Sequence, residues 1–168
     1  MKKILLFVAC GFFALNVATA QTTKFGHIDS RELLKAMPEM TKAENDIQAY
    51  AKTFQDQLQT MSAEYEKKVK EYQAGEKTMT DAVKEVKVKE IQDLEGRIQS
   101  TNQSAQEKVE KKRQELLQPI LDKAEKAIKD VAKEKAFDYV FDSSNGSLLH
   151  ARDADNLLPL VKAKLGIK

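Results

Sequence analysis

Chemically versatile side chains are scarce in this 168-residue chain: it has two histidines, His27 and His150, and a single cysteine, Cys10. His27 stands in the stretch FGHIDS, close to Asp29 and Ser30. Those three residue types build a hydrolytic relay when their side chains meet. Here they sit too close along one extended segment, where neighbouring side chains alternate faces and cannot pass a proton in sequence. No carboxylate or thiol spacing around either histidine completes a metal set, and no glycine-rich loop is present to cradle a phosphate. Catalysis and cofactor use are therefore not expected. Work on a partner must come from binding.

The residues that could bind depend on the elements that carry them, and the N-terminus comes first. Lys2 and Lys3 precede an apolar run from Ile4 to Leu15, and Ala18-Thr19-Ala20 fits the small-residue cleavage rule. Residues 1–20 read as a secretory leader cut after Ala20, since the run is too short to span a membrane. The rival reading makes Cys10 a lipid-acylation site, but the apolar run continues past it through Phe12, Phe13 and Leu15. Without residues 1–20 the chain loses two of its 28 basic residues and none of its 26 acidic ones, and so becomes net neutral. Global attraction to nucleic acid or anionic membrane is not expected, and any such binding must be local.

From Pro38 to Ala74 apolar residues fall on two rows spaced by seven, Met40, Ile47, Phe54, Met61 and Ala51, Leu58, Tyr65, Tyr72. This predicts a coiled-coil helix over 39–74. Gly75 is a helix stop, Thr80 an N-cap and Asp81 a favourable first-turn residue, predicting a second helix over 81–136. So short a loop between long helices makes an antiparallel hairpin. At 1.5 Å per residue the helices would be about 54 Å and about 84 Å long, so the second overruns the first. Its stripe is thin at Val83 and Val86, nearly absent through QSTNQSAQ, and wide from Leu116 to Val131, as for a helix entering a core. Pro119 should kink it without ending it.

The two chain ends supply the rest. KFGHID reads as a strand, and Ser30 as the cap of a short helix ending before Pro38. Phe137–Asp142 reads as a strand with Phe137, Tyr139 and Phe141 on one face. Asn145-Gly146 is a strong two-residue hairpin signal, returning the chain through Ser147–Ala151. Asp155 or Asn156 would cap a last helix with Leu158, Val161 and Leu165 inward, Pro159 in its first turn and Gly166 after its end. Such terminal segments are too small to be stable alone without disulfides or metal, so a core shared between copies is expected. The fold class is α+β, mostly α: a long antiparallel helical-hairpin arm on a small β-rich oligomerisation body. The organisation is 1–20 leader, 21–38 body, 39–136 arm with its end packed on the body, and 137–168 body.

The tip of the arm is the other candidate surface. Residues 67–89 hold seven lysines against four acids, whereas 39–66 hold two lysines against six acids. Lys67, Lys68, Lys70, Lys77 and Lys84 could meet lipid headgroups or acidic client segments; the bland alternative is ordinary solvated coiled-coil charge. Tyr72 and Met79 lie where the seam fails and adapt readily to varied partners. Met61 and Tyr65 fit plain seam packing.

The strand FGHIDS, the Lys/Glu/Gln helical hairpin, AIKDVAKEKAFDYVFD at 127–142 and the closing D-x-x-x-L-L-x-x-V-x-x-x-L helix together resemble the Skp (OmpH) family of periplasmic chaperones. The resemblance covers essentially the whole chain after residue 20. It implies a homotrimer in the Gram-negative periplasm whose arms enclose unfolded outer-membrane β-barrel proteins without ATP. It implies a body containing Phe25, Ile28, Phe137, Tyr139, Val140 and Phe141. Better-known members are strongly basic, whereas this chain after residue 20 is neutral, so only the basic tip favours weak anionic lipid contact. The alternative from another class is a structural coiled-coil scaffold of the cell envelope.

Overall fold

The computed structural model describes residues 23–167. The leader, its cleavage after Ala20, Cys10 and the first residues of the expected body lie outside them. Two long helices dominate: α2 over Pro38–Gly75 and α3 over Asp81–Glu134, of 38 and 54 residues. They are about 57 Å and about 81 Å long. Pro38 opens α2, where its missing N–H costs nothing. Thr80 caps α3, its hydroxyl accepting from Val83 N at 3.4 Å. Pro119 lies on the exposed side of α3, and the helix continues through it.

The body gathers both ends of the chain around the base of this hairpin. It comprises strand β1 (Phe25–Ile28), helix α1 (Ser30–Ala36), strand β2 (Tyr139–Asp142), a single 3-10 turn at Asp153–Asp155 and helix α4 (Leu158–Leu165). Its core is largely helical. Leu33 and Met37 from the α1 end, Ile120, Ala124, Ala127 and Val131 from α3, and Leu157, Leu158 and Val161 near α4 pack with Ile28 and with Ala43 of α2. The wide stripe expected on α3 thus enters a core, except Leu121, which stays exposed. Lys164 pairs with Glu134, tying α4 to α3, and Lys123 pairs with Glu39 across the arm base.

Three local expectations are corrected. Asp29, not Ser30, caps α1, accepting from Glu32 N at 2.9 Å. Ser30 is instead engaged by Asp142, donating from Oγ to Oδ2 at 2.6 Å and from N to Oδ1 at 3.2 Å. The second correction concerns the β-hairpin. β2 pairs in parallel with β1, Phe25 opposite Tyr139 and His27 opposite Phe141, and 147–151 forms no strand. The turn does form: Gly146 has φ 76°, and Asn145 Oδ1 accepts from Ser147 N at 2.9 Å. Beyond it, long-range pairing wins: Leu157 N donates to His27 O at 2.9 Å and Asn156 bridges His27, filling the second edge of β1. The body is accordingly less β-rich than expected, with two four-residue strands.

Phe137 is the third correction. The left-handed turn at Ala136, φ 54°, precedes it, and the strand begins only at Tyr139. Phe137 therefore turns inward toward Gly26 and the core, with Lys24 Nζ 4.0 Å from its ring centroid, while Tyr139 and Phe141 face out. A Cβ on Gly26 would collide with Leu157 and Phe137, which explains a glycine in so short a strand.

Candidate binding surfaces

The residues considered for chemistry are separated by structural duties. Asp29 caps a helix, Ser30 binds Asp142, and His27 Nε2 lies 3.2 Å from the Arg152 carbonyl oxygen. Asp142 Oδ1 also accepts from Ser144 N at 2.9 Å. Burial works against its charge, but the hydrogen bonds from Ser30 and Ser144 outweigh that and bring its pKa down to about 2. Among the described residues no group of three or more His, Cys, Asp and Glu side chains could hold a metal ion.

The outward face of the sheet is the more conspicuous surface. Phe25 stacks on Tyr139 at 5.6 Å between ring centroids and lies 6.1 Å from Phe141. These rings remain 52%, 58% and 48% exposed. Ile28, also expected in the body, is buried on the opposite face, and Val140 is half-buried against the same core. Strand alternation produces this split, since Phe25 and His27 share one face and Gly26 and Ile28 the other. A cleft of about 370 Å³ opens beside the rings, lined by His27, Phe141, Leu148 and His150 among others. The outer edge of β2 has no strand partner among the described residues.

At the tip, the predicted residues divide. Lys68 is drawn across the hairpin to Glu90 at 2.9 Å and is only partly exposed. That hydrogen bond raises the Lys68 pKa and lowers that of Glu90. Lys67 and Lys84 sit loosely beside Glu71 at 3.9 Å and Asp81 at 3.8 Å. Lys70 and Lys77 are exposed. Tyr72 is half-buried, and Met79 folds its methyl onto Gly75. Met61 is buried in the seam and Tyr65 is half-buried. Val83 and Val86, exposed on the first turns of α3, add apolar surface there.

A further surface was not anticipated. Two adjoining clefts of about 440 and about 310 Å³ run along one face of the arm. Met40, Ile47, Ala51, Phe54 and Leu58 line them from α2, and Ala105, Val109 and Leu117 from α3. They form because the polar stretch of α3 sets small Ala105 near Phe54 and Leu58, leaving volume unfilled. Tyr50 meets Phe54 edge-on at 5.1 Å, and Lys108 Nζ lies 5.8 Å from its ring centroid. The signal was legible only by setting the two helices side by side.

The described residues thus form a polar helical hairpin with a shallow apolar groove, standing on a body with an exposed aromatic face. The family described as outer membrane protein (OmpH-like) matches residues 24–165, and the chain belongs to that family, known also as Skp. It is 27% identical over 137 residues to an uncharacterised protein of Aquifex aeolicus (strain VF5), covering 80% of this chain and 83% of that one. Its fold resembles the crystal structure of an OmpH-like protein of Caulobacter crescentus CB15, proposed there as an outer membrane chaperone. The TM-score is 0.74 at 15% identity, over 85% of this chain and 83% of that one.

Proposed function

We propose that this protein is an ATP-independent periplasmic holdase, a homotrimer whose arms surround unfolded outer-membrane β-barrel proteins and keep them from aggregating. Family membership supports a chaperone role in general. The observation that carries the finer reading is the apolar groove on an otherwise polar arm. Along α2 it runs from Met40 to Leu58, about 27 Å at 1.5 Å per residue. The apolar band of a barrel strand is about 25 Å tall, with polar residues alternating. A strand laid along the groove would place apolar side chains on Ala51, Phe54 and Leu58 and polar ones against flanking Gln48, Gln55 and Gln106. The contact is shallow, which suits retention with easy release, because tight uniform packing would trap the client.

The same reading places the trimer contact on the exposed Phe25, Tyr139 and Phe141 face and gives Lys70, Lys77, Val83 and Val86 a weak contact with anionic lipid at the tip. It also places the leader's removal after Ala20. The test is mass measurement of the chain from Gln21 onward, alone and with several urea-unfolded barrel proteins, alongside light scattering of the clients. Three-copy particles that each take up a client and suppress scattering for unrelated barrels are expected. Binding of one folded partner in fixed ratio, with no suppression, would point to a scaffold instead.

A further inference from the structure

The two clefts of the arm groove meet at Ala51, which lines both, but their walls differ. The larger, toward the tip, is floored by Phe54 and Leu58, and its only charged lining residue, Glu110, lies 3.5 Å from Arg113. The smaller, toward the body, has Met40, Ile47 and Leu117 for its apolar lining, with Glu44 at its rim. Glu44 is the exception in its surroundings. Helix α2 carries six charged residues between Glu39 and Leu58, and five are paired: Glu39 with Lys123, Lys42 with Asp46, and Lys52 with Asp56. Glu44 is exposed and has no ion-pair partner among the described residues. Arg113, on the α3 wall of the same cleft, is taken up by Glu110.

The side chain that complements the smaller cleft is therefore long, apolar along its stem and positive at its end. Lysine and arginine have that form, packing the stem on apolar surface while the head stays in water. The larger cleft suits an aromatic or large aliphatic side chain. Spacing links the two. Glu44 and Phe54 are ten residues apart on α2, about 15 Å. Along an extended chain every second residue faces the same way, and four residues span about 13 Å. The lysine stem covers the remainder. Resting on the groove reading above, we infer that the groove selects extended client segments carrying a large apolar residue and, four places along on the same face, a lysine or arginine. The apolar residue enters the tip-ward cleft, a small residue crosses Ala51, and the cation meets Glu44. In a barrel strand that pairing belongs at the edge of the apolar band, because a basic residue is costly at its middle and nearly free at its ends.

The test is fluorescence anisotropy of the chain from Gln21 onward with short labelled peptides built on Phe-Thr-Ala-Thr-Lys. At low salt the lysine peptide should bind about fivefold more tightly than its counterpart ending in glutamate. A peptide with the lysine one place earlier, on the other face, should lose that advantage, which separates Glu44 from the general acidity of α2. Glu44→Gln should abolish the preference and Glu44→Lys should reverse it. Glu44 is exposed, so both variants should fold as the parent does. Equal binding of the lysine and glutamate peptides by the parent, with Leu58→Gln weakening both, overturns this inference and leaves the groove reading standing. No binding at all, or no effect of Leu58→Gln, overturns the groove reading and this inference with it. Circular dichroism showing the bound peptide to be helical overturns the extended occupant. Sedimentation of Glu44→Lys showing changed assembly overturns it too, making the cleft a contact between copies.

Discussion

The body and the arm are packed by different rules. In the body Leu33, Met37, Leu157 and Val161 are wholly enclosed, and one continuous core joins five elements. Along the arm Ile47, Met61, Leu94 and Ala105 are buried outside that core, among half-exposed side chains and open clefts. The body specifies one arrangement, while the arm keeps two helices together and leaves surface free. A small protein can thus combine a rigid anchor with an adaptable wall by changing only how densely apolar residues recur.

The comparison breaks if truncations in the two regions weigh the same. Leu157→Ala should lower unfolding free energy by about 3–5 kcal/mol, because its cavity lies where α1, α4 and the sheet meet and cannot collapse. Leu58→Ala, beside an existing cleft, should cost about 1 kcal/mol or less, since its surroundings are already half open. Urea midpoints at one fixed protein concentration separate these outcomes, and equal losses would mean the arm is as tightly organised as the body. Gly26→Ala comes next, at about 1–3 kcal/mol by the same measurement, because the added methyl overlaps Leu157 and Phe137 in a filled core.

Asp142 sharpens the contrast through pH. Its folded pKa, about 2, lies below the ordinary 3.8, so the unfolded chain binds its proton first as pH falls. The stability it lends is full above about pH 4 and is lost between there and pH 2. Because Asp142 is partly solvated, screening limits that contribution to about 1 kcal/mol. Asp142→Asn should lower stability at pH 7 by a similar amount and flatten this step in an acid titration. A step of equal height in the variant would assign it to other carboxylates. The smallest effect belongs to the tip: Lys68→Gln should leave the unfolding midpoint in place and speed amide exchange only around the 76–80 loop. Exchange accelerating as far as the body would show the arm to be one cooperative unit.

The arm was legible in the sequence to within two residues at each end, because heptad rows and the Gly75–Thr80 interruption are local signals. The inward set on α4, Leu158 and Val161 with Leu165 beside them, was legible for the same reason, as was Gly166 after its end, with φ 71°. The partner of β2 was not. FDYVFD and Asn145-Gly146 describe a hairpin to any short-range reading, yet β2 lies against residues 25–28, more than a hundred positions away. Nothing local distinguishes a strand that folds back from one that reaches across the chain. Of the three aromatics expected on one face, Tyr139 and Phe141 do share it, and Phe25 joins them there from β1. Phe137 was misplaced because the positive φ at Ala136 falls on a residue that gives no warning of it. The arm groove was hidden because it belongs to neither helix alone.

The parallel register of β1 and β2 has a consequence for how the chain closes. The strands flank the arm in sequence, so neither can find the other until the intervening hundred residues have doubled back. Zipping α2 against α3 brings both ends to one place and replaces a costly floppy loop with a stiff strut. The arm is therefore also the tether that lets its own anchor form. Excising matched helical turns from both sides of the tip should leave the anchor closing as before, whereas trimming only one side would deliver β1 and β2 out of step.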